Sequence, residues 1–257
     1  MNELTFIDKE AQIGKNLQID PFSCIHKNVI IGDNCWIGSN VTIYPGARIG
    51  SNCQIYPGAV IAAIPQDLKF KGEETTVKIG NDVIIRECVT INRGTSYNQT
   101  TIVGDSCFLM AYSHVAHDCI LKNNVIIANG VAIAGHVEID NNVIIGGLSA
   151  IQQFTKIGKF SMISGGSLVR KDVPPYIKVA KEPLRFIGIN KIGLERNKFD
   201  KEIIENISAM FRVIFQDGNN ISKATQILER TKENSEEKEE IIKFIKNSKN
   251  GIIKGFY

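Results

Sequence analysis

Three of the chain's four histidines, His114, His117 and His136, fall within residues 113–137, and Asp118 directly follows the middle one. An imidazole with an unperturbed pKa of about 6.5 can take and return a proton near neutral pH. A carboxylate beside it favours the imidazolium formed on the way. A glycine in the same stretch, Gly135, lets a backbone N–H come close to a developing oxyanion. Base, electrostatic partner and oxyanion donor together point to acyl transfer. No Gly-x-Ser-x-Gly elbow occurs, and no serine or cysteine stands suitably beside the histidines except Ser113, which strand alternation turns inward. Direct attack by an acceptor is therefore expected, without a covalent acyl-enzyme. Two other readings share these residues: histidines as ligands of a metal ion, and histidines that only line an interface between subunits.

What positions them is a repeat of six. From Ile7 to Val169 in steps of six, 25 of the 28 residues visited are Ile, Leu or Val, and the exceptions are Asp67, Glu73 and Tyr97. Six matches neither the 3.6-residue period of a helix nor the 2.0 of a flat strand. It fits a parallel β-helix of short strands and tight turns, in which each coil buries its aliphatic row against its neighbours. The exceptions fall in polar stretches at about 64–78 and 94–101, expected as loops thrown out from the prism. With three hexads to a coil, residues 18 apart stack at about 4.8 Å. Positions one and five of a hexad then point inward, two and six outward, and three and four form the corner. This places His114 outward on a face and His117 and Asp118 at the corner. The next coil sets Gly135 over His117 and His136 over Asp118, and the one after adds Gln152, Gln153 and Phe154. Ala116, Ala132, Ala134 and Ala150 occupy outward positions here, which leaves a groove.

The hexads stop near Val173-Pro174-Pro175, which divides the chain into a β-helical domain, 1–173, and a small α-helical domain, 174–257. Apolar spacing predicts helices over Asp200–Gln216, Ser222–Glu233 and Glu236–Ser248. No apolar run approaches the roughly 20 residues of a membrane span, and Met1-Asn2-Glu3-Leu4 does not resemble a signal peptide, so a cytoplasmic protein is expected. Cys35, Cys53, Cys107 and Cys119 share the fifth hexad place and are expected as small core residues. The net charge of +3 is carried by the tail, where residues 171–257 hold 17 Lys and Arg against 13 Asp and Glu. That bias is too weak for nucleic acid.

The segments Gln66-Asp67-Leu68-Lys69, Arg86-Glu87-Cys88-Val89-Thr90-Ile91, Arg93-Gly94-Thr95, His114-Val115-Ala116-His117-Asp118-Cys119, Ala134-Gly135-His136-Val137, Gln153-Phe154, Asp172-Val173-Pro174-Pro175-Tyr176 and Gly188-Ile189-Asn190 resemble the UDP-N-acetylglucosamine O-acyltransferases that begin lipid A biosynthesis. The resemblance covers nearly the whole chain. It implies a left-handed β-helix, a hand that the common right-handed crossover would not suggest, and a homotrimer with sites between adjacent subunits. It also implies transfer of a 3-hydroxyacyl chain from acyl carrier protein to the 3-position of a UDP-amino-sugar, with no cofactor and no metal. On the same grounds His117 is expected as general base, Asp118 as its partner and Gly135 as oxyanion donor. Asp67, Lys69, His114, His136, Gln152, Gln153, Asn190 and Arg196 are expected as substrate contacts, and Gly165 as the residue limiting acyl length. The family more often has His at 152 and 92, and a Glu and a second Arg at 192 and 197. Gln152 and Asn92 therefore raise the 3-amino analogue of UDP-N-acetylglucosamine as an alternative acceptor. A metal-dependent trimer like the γ-type carbonic anhydrases and a non-catalytic binding module are the competing functional readings.

Overall fold

A computed structural model describes residues 4–231 and 235–255. Among these, the hexads form two- to five-residue strands that assemble into three sheets of nine, eight and ten strands, the faces of a triangular prism. Every pairing is parallel until the last strand. Partners 18 residues apart stack in register, as at His114 on Ala132, Ala132 on Ala150 and Val115 on Ile133. The aliphatic row points inward: Val115, Ile133, Ile139, Ile145 and Ile151 are buried. Cys35, Cys53, Cys107 and Cys119 are buried in the same core, and burial pushes the Cys107 thiol up to about 11 and the Cys119 thiol up to about 12.

Most corners turn through a residue with positive φ at hexad position four. Between the second and third faces this place is held by Asn16, Asn34 and Asn52, whose φ values lie between 56° and 60°. Asparagine tolerates the left-handed region, and here its amides also form a ladder: Asn16 Nδ2 donates to Asn34 at 3.1 Å and Asn34 Nδ2 to Asn52 at 3.3 Å.

Both insertions leave the prism at one corner, between the first and second faces. The step from Ile61 on the first face to Ile79 on the second takes 18 residues, and that from Ile91 to Val103 takes 12, where an ordinary step takes six. Because both lengths are multiples of six, the phase survives.

The sheet outlasts the hexads. Ile177–Ala180 adds to the third face in parallel and Arg185–Ile189 pairs antiparallel to it, so Val173 marks a hand-over and the first helix starts at Lys191. Among the described residues four helices follow: α1 (Lys191–Arg196), α2 (Lys201–Phe215), α3 (Ile221–Arg230) and α4 (Glu236–Asn247). Ile204, Ile207, Met210, Phe211, Ile214 and Phe215 form the buried stripe of α2 that the spacing predicts. The predicted end of the third helix at Glu233 lies outside the described residues. Asn220 and Ser235 cap α3 and α4 by accepting from the Lys223 and Lys238 amides. After α4 the chain returns to the site corner, where Ser248 Oγ donates to Asp172 at 2.6 Å and Asn250 Nδ2 to the Phe154 carbonyl at 2.8 Å. No helix of the described residues is long and apolar enough to cross a membrane.

Candidate active site

The corner between the first and second faces carries His117 and Asp118 on one turn, Gly135 and His136 on the next and Gln153 and Phe154 on a third, as the register requires. His117 is only 4% exposed and Asp118 1%. The reason is the second insertion, which is not thrown out but folds back onto Asp118. The Thr95 and Asn98 amides donate to Oδ1 at 3.0 and 3.1 Å, and the Thr95 hydroxyl donates to Oδ2 at 2.6 Å. His117 Nδ1 donates to the same Oδ2 at 2.8 Å. Burial pushes the Asp118 carboxyl up, but these donors outweigh it and hold the group below its ordinary value. An ionised carboxylate only accepts, so Nδ1 of His117 bears the proton and Nε2 keeps its lone pair. That is the tautomer a base requires.

Gly135 lies against the imidazole. A Cβ there would stand 2.6 Å from His117 Cε1 and 2.8 Å from Nε2, so the backbone approaches the ring as only glycine permits. Its amide donates no hydrogen bond among the described residues. His136 stacks on Phe154 with centroids 4.4 Å apart and planes 5° apart, and Tyr97 meets it edge-on at 4.6 Å. Its Nδ1 is 3.9 Å from Asp118 Oδ2 and has no hydrogen-bond partner. Burial keeps His136 below the ordinary histidine pKa, although Asp118 and Asp67 pull the other way. His114 stands on the first face with Nδ1 2.7 Å from Thr90 Oγ1, and burial followed by the neighbouring His117 lowers it too.

His117, Asp118 and His136 offer three ligand atoms within 4.8 Å of one another. As a metal cage they fit poorly, because Asp118 already accepts four hydrogen bonds and one of them comes from His117 itself. A cation would have to displace the bonds that organise the corner.

The family described as UDP-N-acetylglucosamine O-acyltransferase, domain 2, matches residues 172–253, and the bacterial transferase hexapeptide family matches 29–63 and 100–135. An acyl-[acyl-carrier-protein]–UDP-N-acetylglucosamine O-acyltransferase of Halorhodospira halophila is 38% identical over 249 residues, 96% of each chain. The chain belongs to the UDP-N-acetylglucosamine O-acyltransferase family. The solved UDP-N-acetylglucosamine acyltransferase of Bacteroides fragilis superposes with a TM-score of 0.97 at 49% identity, over 99% of this chain and all of that one. The match to the Synechocystis relative, 43% identical over 172 residues, spans 67% of this chain and 62% of that protein.

The other expected site residues are spread over the prism. Asp67 and Lys69 lie on the first insertion at the histidine corner, where the Lys69 amide donates to Asp67 Oδ1 at 2.9 Å and the Asp67 charge reaches His136. Gln152 and Gln153 are exposed one coil above. Asn190 and Arg196 are elsewhere: Asn190 is 7% exposed, and its amide donates to the Phe160 carbonyl at 2.8 Å, at the corner between the second and third faces. Arg196 is exposed on α1 beside it. Gly165 belongs to the remaining corner, where a Cβ would meet the Gly147 carbonyl at 3.1 Å. Asn92, expected to face outward, is instead 3% exposed, because the first insertion covers it and Nδ2 donates to the Ile64 carbonyl at 3.1 Å. The sequence reading missed Thr95, Asn98, Tyr97 and Thr90. The signal for the first three was available: an insertion of six residues leaving the corner that carries Asp118.

Proposed function

We propose that the protein transfers a 3-hydroxyacyl chain from acyl carrier protein to the 3-hydroxyl of UDP-N-acetylglucosamine, the first step of lipid A biosynthesis, in the cytoplasm. The observation that carries this reading is the His117 ring, fixed by Asp118 at Nδ1 and pressed by the Gly135 backbone. The sugar hydroxyl attacks the thioester carbonyl as His117 Nε2 takes its proton. The C–O bond forms, and the carbonyl oxygen becomes an oxyanion within reach of the Gly135 N–H. Collapse breaks the C–S bond, and the imidazolium returns the proton to the leaving thiolate. No covalent enzyme intermediate is needed. The hydroxyl is preferred to the 3-amino acceptor because Asn92, one of two residues that suggested the amine, is buried and engaged with Ile64.

A homotrimer supports this chemistry better than a single chain. Asn190 and Arg196, Gly165 and the histidines occupy three different corners, so one site can draw on all of them only if neighbouring copies contribute. Over the later coils the outward row of the third face, Ile84, Phe108, Ile126, Ile144 and Met162, is apolar, and Tyr112 and Leu148 at its edge are 71% and 78% exposed. Such a surface suits burial against a copy's alanine groove on the first face. The acidic carrier protein matches the basic bias of the tail.

H117A tests the reading. It should lose at least 1,000-fold in kcat, the scale of removing a general base and its positioning, while still folding, with a melting temperature a few degrees lower because the buried Asp118 carboxylate loses a partner. Retained turnover in the folded variant removes the base assignment. Activity lost to a chelator and restored by zinc would favour the hydrase reading, and a trimer without transferase activity the binding module.

A further inference from the structure

The carboxylate that orients His117 is held by a loop rather than by the prism. Three of its four hydrogen bonds come from Thr95 and Asn98, and of these three only the one from the Thr95 hydroxyl is given by a side chain. The Thr95 hydroxyl accepts the Tyr97 amide at 3.2 Å, so its single proton is committed to Asp118 Oδ2 at 2.6 Å. Asn98 Nδ2 donates to the Asp118 carbonyl at 3.2 Å, and Thr101 Oγ1 accepts the Asp118 amide at 2.9 Å, so backbone and side chain are both pinned. The same turn of chain sets Tyr97 against His136. Thr95 and Asp118 are each more than nine-tenths buried, so little water competes for these bonds.

We infer that Thr95 is a positioning residue for the reaction: its hydroxyl and the Thr95 and Asn98 amides hold Asp118 in the one orientation that presents Oδ2 to His117 Nδ1. This rests on the reading of His117 as base. The second insertion is then part of the catalytic apparatus, acting through Asp118 without touching substrate. Two threonine oxygens at successive places, Thr95 and Thr101, bracket the aspartate from the loop and from the strand that ends it.

The titratable groups facing the Asp118 carboxylate are His117 on its own turn, His136 on the turn above and Cys119 behind it, and Tyr97 of the loop meets His136. Of these, only the imidazoles are of a side-chain type that ionises near neutral pH. With one donor fewer the carboxylate becomes more basic and grips the imidazolium more strongly. The acid limb of the kcat/KM profile, where His117 takes its proton, therefore moves to higher pH.

The test compares purified full-length T95V and T95S with the wild type, using a 3-hydroxyacyl carrier protein and UDP-N-acetylglucosamine. T95V should lose about 10- to 100-fold in kcat, the scale of a hydrogen bond to a charged group, with KM changed less than about threefold. Its acid limb should rise by about one pH unit, and T95S, which keeps the hydroxyl, should restore both. T95A, too small to crowd the corner, gives the same readouts if T95V misfolds. A folded T95V or T95A enzyme with an unmoved acid limb, or a T95S enzyme no better than T95V, overturns the inference. Neither result bears on the base itself, which H117A tests separately.

Discussion

Replacing Gly135 by alanine isolates the close approach of backbone to imidazole. The added Cβ would lie 2.6 Å from Cε1, 2.8 Å from Nε2 and 3.1 Å from Nδ1 of His117, and these are the three nearest heavy atoms it meets. Carbon contacts are comfortable at about 3.5 Å or beyond, so the ring must retreat by nearly 1 Å. It cannot do so freely, because Nδ1 is tied to Asp118 at 2.8 Å and the ring packs edge-on against His136 at 5.0 Å. A displacement of about 1 Å at a proton-transfer site costs on the order of 100-fold in rate, equivalent to about 2.7 kcal/mol of barrier. Steady-state kinetics should therefore show kcat reduced by about 100-fold in G135A. The decisive measurement is the double variant. With His117 already alanine the new methyl meets no ring, so G135A/H117A should be no slower than H117A alone. Losses that multiply, or a G135A enzyme with wild-type kcat, would refute the claim that Gly135 is required for the space it gives His117.

Two further outcomes follow from the same corner. H136A should lose less turnover than H117A, about 10- to 100-fold in kcat/KM. It should also melt a few degrees lower, because it opens the aromatic stack of Tyr97, His136 and Phe154. Mild acid should destabilise the fold: burial holds His114 and His136 below the ordinary histidine range, so the unfolded chain binds protons first and stability falls as pH drops below about 6.5. The Asp118 contribution is lost in the same direction but only below about pH 4, so melting curves at pH 7 and 5 read the histidines. H114N should flatten the difference, and an identical slope would exclude the buried imidazole as its source.

The prism and the placement of the histidines were legible because the hexad register is a hard constraint. An aliphatic residue every six places can be buried in only one way, and stacking at 18 then carries His136 onto Asp118 and Gly135 onto His117. The loops were not legible, because their residues have no register. Counting shows that an insertion exists and which corner it leaves, but not whether it extends into water or folds back. Asn92 illustrates the failure. Its hexad place is outward, yet Ile64, on the insertion one coil below, covers it and captures its amide. Thr95 is the reverse case, a loop residue with no periodic signature that ends more buried than most of the outward-facing strand positions.

One sequence signal for such coverage does exist, in the residue that occupies the left-handed place of each corner. Where the turn faces water a small residue usually holds it, most often asparagine, as in the ladder of Asn16, Asn34 and Asn52, all exposed, with Phe22 as an exposed exception. A larger side chain in that conformation costs about 1 kcal/mol or more, which some contact must offset. At the site corner Asp118, His136 and Phe154 adopt φ of 60°, 62° and 64°; the second insertion covers the first two, and Phe154, still half exposed, is held by its stack on His136 and by Asn250 at its carbonyl. At the next corner Phe160 and Tyr176, with φ of 57° and 69°, lie under Phe199 and the helical domain. Tyr112 and Leu148, with φ of 62° and 59°, break the asparagine pattern too, yet nothing among the described residues covers them. By the logic that holds at the other two corners, their cover comes from outside the chain, which is where the proposed trimer would place a second copy. Substituting Tyr112 and Leu148 together by asparagine should therefore relieve the turns of a single chain while weakening assembly, and sedimentation of that variant as a stable trimer would break the rule.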